Sequence, residues 1–187
     1  GAVLFEKNAD AQMFPASMTK LMTSVLAFDE LRAGRLSLDD TFNVSETAWR
    51  KGGSKMFVKV RDDVLIEDLL RGVIVQSGND ASVALAEFTA GSEPAFAELM
   101  NEYARRLGMQ NTNFRNATGL PAEDHYSSAR DIALLAAAII REFPEFYSLY
   151  SEREFTYNDI TQRNRNKMLW RDPTVDGIKT GMTDAAG

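Results

Sequence analysis

The sequence predicts an α+β fold, with short strands toward the two ends of the chain and a mainly helical region between them. Three observations predict it. Apolar residues recur at helical spacing in successive stretches between residues 17 and 140, whereas the flanks carry short alternating or aromatic runs bounded by Gly, Asn and Asp. The 187 residues, 44% hydrophobic and 26% charged, suffice for one folded unit with a buried core. A single domain over 1–187 is expected, with its sheet side in 1–20 and 150–187 and its mainly helical side in 21–149.

Val3 and Phe5 alternate with other residues before Asn8-Ala9-Asp10, the pattern of a strand running into a turn. Pro15 and Ser17 then open a helix, because Leu21, Met22, Val25, Leu26 and Leu31 share one spacing until Gly34. Residues 37–59 are polar, contain Gly52-Gly53, and read as loops with a short hairpin. Ile66, Leu69, Leu70, Val73 and Ile74 mark a helix ending near Gln76, and residues 80–90 mark another, so Ser77-Gly78-Asn79 is a tight connection between them. Residues 93–107 form an amphipathic helix closed by Gly108, and Ser128-Ala129-Arg130-Asp131 has the form of a capping box before an apolar helix through Ile140. Thr118-Gly119-Leu120-Pro121 is a loop. Beyond Pro144, Phe155-Thr156-Tyr157 predicts a short strand and Val175 to Thr183 a last one, where Gly177 and Gly181 leave room for a peptide along its edge.

Composition excludes several classes of function. A net charge of -6 and a pI near 4.9 argue against a nucleic-acid surface. Cysteine is absent and His125 is the single histidine, so no metal site and no cofactor is called for, and a Ser-His-Asp arrangement would have to use His125. No Gly-x-Ser-x-Gly elbow occurs, and His125 reads as a surface or packing residue. No apolar run is long enough to span a bilayer and the first residues lack a signal-peptide pattern. The lack of cysteine fits a reducing compartment and an exported bacterial protein equally.

Three short signatures carry the chemistry: Ser17-Met18-Thr19-Lys20, Ser77-Gly78-Asn79 and Lys179-Thr180-Gly181. Ser-x-x-Lys or Ser-x-Asn alone is expected about half a time by chance in such a composition, but the three together, in this order, are not. Together they supply a hydroxyl nucleophile, an amine beside it, a second hydroxyl with an amide, and a second cation, which is an inventory for acyl transfer. Residues three apart share a helix face, so Lys20 stands above Ser17, and the helix start adds positive charge where an oxyanion would form. Lys20 can act as a base near neutrality only if its pKa falls well below its ordinary value, and burial and the charge of Lys179 would both lower it. Ser77 would face Lys20 and pass a proton, while Asn79 would fix the lysine and a substrate amide.

With these signatures and with Phe14 to Lys20, Glu67 to Ser82, Thr118-Gly119-Leu120, Ser127 to Asp131, Asn164-Arg165-Asn166 and Val175 to Gly181, the chain resembles the penicillin-recognising serine D-alanyl-D-alanine carboxypeptidases, the low-molecular-mass penicillin-binding proteins of bacteria. The resemblance implies a β-lactamase/transpeptidase-like fold. It also implies removal of the terminal D-alanine from peptidoglycan stem pentapeptides through a Ser17 acyl-enzyme, with β-lactam antibiotics as covalent inhibitors. Lys20 would be the general base, Ser77 the proton relay to the leaving amine, and Asn79 the group that holds Lys20 and the substrate. Lys179, Thr180 and Arg165 would meet the substrate's terminal carboxylate, and the backbone N–H groups of Ser17 and Met182, beside Gly181, would form the oxyanion hole. The expected location is the periplasm or the extracytoplasmic face of the bacterial membrane, with any membrane association made by segments outside this chain.

Two departures from the family pattern stand out. Many members have histidine where this chain has Met182, a change that leaves the expected backbone N–H in place. The family's sheet also has one strand before Gly1 and two strands and a helix after Gly187, so an incomplete sheet with an unpaired edge is expected here. Two alternatives remain open at this point: a penicillin-binding sensor that acylates without turnover, and a class A β-lactamase. The latter resembles this chain less, because Gly78 replaces its aspartate and Glu98-Leu99-Met100-Asn101 has the wrong spacing for its Glu-x-x-Leu-Asn loop.

Overall fold

Ten consecutive residues, Thr19 to Phe28, are buried in α1 (Thr19–Arg32). A helix with no solvent face over that length has to lie inside the molecule. In the computed structural model, which describes residues 2–186, its neighbour is α4 (Asn79–Ala90), buried without interruption from Asn79 to Ala86. The outer helices are amphipathic by contrast. Along α5 (Glu93–Leu107), Phe96, Met100, Tyr103 and Ala104 fall on one buried face, and along α6 (Ala129–Glu142) Leu135, Ala138 and Ile139 do the same. Phe28 of α1 stacks on Phe146 at 4.8 Å between ring centroids and meets Tyr150 edge-on at 6.4 Å. These rings join the central helix to α7 (Pro144–Tyr147) and the 3-10 turn Ser148–Ser151.

The capping chemistry is only half that of a capping box. Ser128 Oγ accepts the Asp131 N–H at 3.2 Å, but the Asp131 carboxylate takes bonds from Asn111 N–H and Thr112 Oγ1, both at 2.7 Å, instead of reaching back to the cap. Asp131 therefore ties the 111–112 loop to the start of α6.

Strands form two antiparallel pairs. β1 (Thr41–Asn43) and β2 (Asp63–Leu65) set Phe42 opposite Val64, and between them lies α2 (Glu46–Arg50), capped by Ser45. β3 (Glu154–Tyr157) and β4 (Ile160–Arg163) are joined by Asn158-Asp159, both at positive φ, as a two-residue hairpin turn requires. The first pair, with α2, lies within the stretch expected to be mainly helical or looped, and β4 lies just beyond the predicted strand. α3 (Ile66–Arg71) runs into a wider π turn, Gly72–Gln76, so the helix ends where the periodicity placed it but with an inserted residue. α8 (Met168–Arg171) is a single turn.

The two terminal strands expected from the sequence are not formed among the described residues. Ala2 to Glu6 has no ladder partner; Leu4 is 96% and Phe5 84% exposed, and the segment is held to α6 by Arg130, which grips Glu6 at 2.8 Å and Asp10 at 2.7 Å. Val175 to Thr183 likewise runs without a ladder. Alternation describes a chain able to join a sheet, but a strand exists only where a second backbone lies beside it.

Asp80, in the first turn of α4, is fully buried without an ion-pair partner among the described residues. Its carboxylate accepts N–H bonds from Met56 (2.9 Å), Phe57 (3.0 Å), Val58 (3.3 Å) and Ala81 (2.9 Å). It fastens the segment after α2 against the central helix. Asp80→Ala leaves buried donors unpaired and should destabilise the protein by about 3 kcal/mol in urea unfolding, whereas Lys59→Ala on the exposed side of the same segment should cost little.

Candidate active site

Pro15 leads into a 3-10 turn, Ala16–Met18, that delivers Ser17 to the start of α1. Ala16 sits at φ 47°, which turns its carbonyl toward the loop after Ala117. That loop passes so close that a Cβ on Gly119, itself at φ 79°, would lie 1.8 Å from the Ala16 oxygen. Asn116 curls the loop by accepting bonds from Thr118 N–H at 3.1 Å and Gly119 N–H at 2.8 Å.

The Lys20 side chain is buried, with Nζ 3.1 Å from Ser17 Oγ, 2.8 Å from Asn79 Oδ1 and 2.6 Å from the Thr118 carbonyl oxygen. As an ammonium it donates to all three. As a neutral amine it has two N–H groups for the two carbonyl oxygens and one lone pair for the Ser17 hydroxyl, so the same geometry serves the form that accepts a proton. Burial holds its pKa well below the usual lysine value; the positive charge of Lys179 adds to this, and Asp80 opposes it.

Asn79 is fixed from the opposite side. Its Nδ2 donates to the Gly52 carbonyl at 2.7 Å and its backbone N–H to Ser54 O at 2.7 Å. Gly53, at φ 85°, admits this approach because a Cβ there would stand 2.5 Å from Asn79 Nδ2. The second hydroxyl is placed by the π turn. Gly78 N–H reaches back to Gly72 O at 2.9 Å, and Ser77 takes a left-handed conformation, φ 63° and ψ 35°.

Ser77 Oγ accepts from Lys179 Nζ at 3.0 Å. It was expected to face Lys20, but among the described residues no hydrogen bond joins Ser77 to Lys20 or Ser17. The two serines belong to two separate lysine pairs. Burial is the main cause that brings the Lys179 pKa down to about 7, and the nearby charge of Arg165 contributes. Arg165 Nη2 lies 3.4 Å from Ser54 Oγ, which puts its guanidinium on the same side as Lys179.

The segment bearing Lys179 is positioned by Asn166, which the sequence marked only as a neighbour of Arg165, and by Tyr147, which it did not single out. Tyr147 Oη donates to Asp176 Oδ1 at 2.9 Å and Asn166 Nδ2 to the Gly177 oxygen at 2.9 Å. A Cβ on Gly181 would stand 3.1 Å from both Ser17 N and Pro15 O, so the segment ends against the amide of Ser17. Thr180 is exposed and the Met182 residue is 81% exposed, leaving the backbone of this corner as its contribution.

His125 is buried rather than at the surface. Its Nδ1 accepts the Arg115 N–H at 3.0 Å, so the proton resides on Nε2, which donates to Thr19 Oγ1 at 2.9 Å. Burial first, and the Arg115 charge second, lower its pKa to about 4.

The whole chain, residues 1–187, matches the peptidase S11 family described as D-alanyl-D-alanine carboxypeptidase. It is 49% identical to D-alanyl-D-alanine carboxypeptidase DacA of Escherichia coli over 194 aligned residues, an alignment that covers all of this chain and 48% of that protein. Penicillin binding protein 5 of Haemophilus influenzae superposes with a TM-score of 0.95 at 48% identity, over 98% of this chain and 54% of the other. Penicillin-Binding Protein D2 of Listeria monocytogenes in its ampicillin-bound form gives 0.86 at 30% identity, over 100% and 76%. The chain belongs to the D-alanyl-D-alanine carboxypeptidase family and has the transpeptidase/β-lactamase fold. It spans about half the length of the curated relatives it matches.

Two consequences of this geometry are measurable. Gly119→Ala drives a methyl into the Ala16 carbonyl, and should reduce acylation of Ser17 at least tenfold, read as labelling by a fluorescent penicillin. The unfolded chain protonates His125 near pH 6.5 but the native state only near pH 4, so stability is lost as pH falls between those values, by about 3 kcal/mol in all. Urea unfolding from pH 7 to 4 should show that loss, and His125→Gln should remove it.

Proposed function

We propose that this chain provides the catalytic centre of a serine D-alanyl-D-alanine carboxypeptidase that removes the terminal D-alanine from peptidoglycan stem pentapeptides. The observation that carries the reading is the buried amine of Lys20 within hydrogen-bond reach of Ser17 Oγ, its pKa held well below the usual lysine value by burial. In the forward step Ser17 Oγ attacks the carbonyl of the penultimate D-alanine and its proton passes to Lys20. The backbone N–H groups of Ser17 and Met182 stabilise the oxyanion. As the intermediate collapses, the C–N bond breaks, Ser77 hands its proton to the departing amine of D-alanine and regains one from Lys20, which returns to the neutral amine, and an ester on Ser17 remains. Water then cleaves the ester and restores the hydroxyl.

Lys179, Thr180 and Arg165 supply the recognition of the substrate's terminal carboxylate in this scheme. The Ser77 to Lys179 contact supports a coupling between recognition and proton delivery, because the cation that meets the carboxylate is the one that holds the relay hydroxyl. A β-lactam would acylate Ser17 by the same attack, with the ring nitrogen as leaving group. Action on peptidoglycan places the protein on the extracytoplasmic side of a bacterial membrane; no helix among the described residues is long and apolar enough to cross one.

Lys20→Arg keeps the charge but cannot supply a free base at neutral pH. In the full-length protein it should lower both D-alanine release from a D-Ala-D-Ala peptide and labelling by fluorescent penicillin by about a hundredfold or more. Full labelling in that variant would sink the assignment of Lys20 as base, and labelling of the unaltered protein without D-alanine release would favour a penicillin sensor.

A further inference from the structure

We propose that His125 is a positioning residue for the nucleophile and its base, acting through Thr19 and the loop that carries Thr118. The inference rests on reading Ser17 and Lys20 as that pair. Thr19 lies between them in sequence, and its hydroxyl is the partner of His125 Nε2. On its other side the ring accepts the Arg115 N–H, at the entry to the loop whose Thr118 oxygen holds Lys20 Nζ. One imidazole thus spans the first turn of α1 and the loop that completes the lysine's coordination.

The surrounding backbone makes this a junction. Tyr126 exchanges both backbone hydrogen bonds with Asn113, at 2.9 and 3.1 Å, and Ser127 exchanges both with Met13, four residues before Ser17, at 2.8 and 2.9 Å. His125 therefore heads a short segment that binds the approach to the nucleophile on one side and the approach to Thr118 on the other. Thr23 Oγ1 adds a parallel tie to the Ala117 oxygen at 2.8 Å. The ring is 2% exposed and stands edge-on to Phe114 at 6.0 Å, so it is confined to this orientation.

A neutral imidazole suits this place because it offers one acceptor and one donor at opposite ends of a rigid plane. The glutamine amide offers the same pair, and leucine fills similar space with neither. Losing the span would let the loop draw back from Lys20, admitting water to the amine. The charged groups that act on Lys20, Lys179 and Asp80, stay in place, as does Arg115 beside His125.

The test compares His125→Leu, His125→Gln and Thr19→Val in the full-length protein. The rate of acylation by a fluorescent penicillin should fall about tenfold or more in His125→Leu and in Thr19→Val, and stay within about threefold in His125→Gln. The double variant should be no worse than either single one. The Lys20 pKa, followed by NMR of its side-chain carbon in a specifically labelled sample, should rise in His125→Leu and return in His125→Gln. Equal losses in Leu and Gln, additive losses in the double variant, or an unmoved Lys20 pKa would overturn the proposal. The Lys20 titration requires no turnover, so it decides the role of His125 even if the unaltered protein is not acylated, a result that would refute only the functional reading. Should His125→Leu fail to fold, Thr19→Val with wild-type acylation would overturn the proposal alone.

Discussion

Burying the amine of Lys20 is the constraint from which the rest of this structure follows. An ammonium removed from water is unstable unless it is paired, hydrogen-bonded or neutralised; here the amine is hydrogen-bonded and burial drives its pKa down. Two carbonyl oxygens, from Asn79 and Thr118, receive its N–H groups, and they arrive from the start of α4 and from a loop nearly a hundred residues away from Lys20 in sequence. Each donor of a carbonyl then needs an anchor of its own. Asn79 is held by Gly52 and Ser54, whose segment Asp80 binds through three amides, while the Thr118 loop is drawn tight by Asn116 and by the contact of Gly119 with Ala16.

Asp80 also shows how a negative charge can act on a buried lysine without capturing it. Its oxygens are saturated by backbone N–H groups, so it forms no ion pair with Lys20 or Lys179. The hydrogen-bond partners of both lysines are hydroxyls, an amide and carbonyls, none of them a carboxylate. Burial first, and the charge of Lys179 second, then lower the pKa of Lys20, and no carboxylate among these partners occupies the side on which Lys179 and Arg165 lie.

Much of this was legible in the sequence, and the limit falls along a physical line. Helices α1, α4, α5 and α6 show themselves because apolar residues recur at helical spacing within one segment, and the Ser17–Lys20 pair shows itself because neighbours on a helix turn stay neighbours in space. The bonds of Asp80 to Met56, Phe57 and Val58, the pairing of His125 with Thr19, and the anchors Tyr147 and Asn166 join residues between 11 and 106 positions apart, and no local spacing encodes them. Gly119 lay in a segment the sequence marked as a loop, yet its need for glycine comes from the carbonyl of Ala16, which only the fold brings beside it. The misread terminal strands have the same origin: residues 3–5 and 175–183 have strand-like composition, but pairing is a property of two segments.

The last of these segments shows what the absence of pairing permits. From Ile178 to Met182 the backbone makes no hydrogen bond to another segment among the described residues, although Asn166 and Tyr147 fix it at Asp176 and Gly177 and Gly181 rests against Ser17. Its position is thus set by side chains at one end and by steric contact at the other, while its N–H groups stay available and, of its carbonyls, that of Thr180 accepts from Lys179 Nζ at 3.0 Å. A peptide laid along it would meet those groups as a strand meets an edge, and the scissile carbonyl would come between the amide of Ser17 and that of Met182. Anchoring through side chains instead of a ladder is therefore compatible with a rigid Lys179 and an open backbone at once. The first keeps the cation on Ser77, and the second is what the proposed recognition of a D-alanyl-D-alanine end requires.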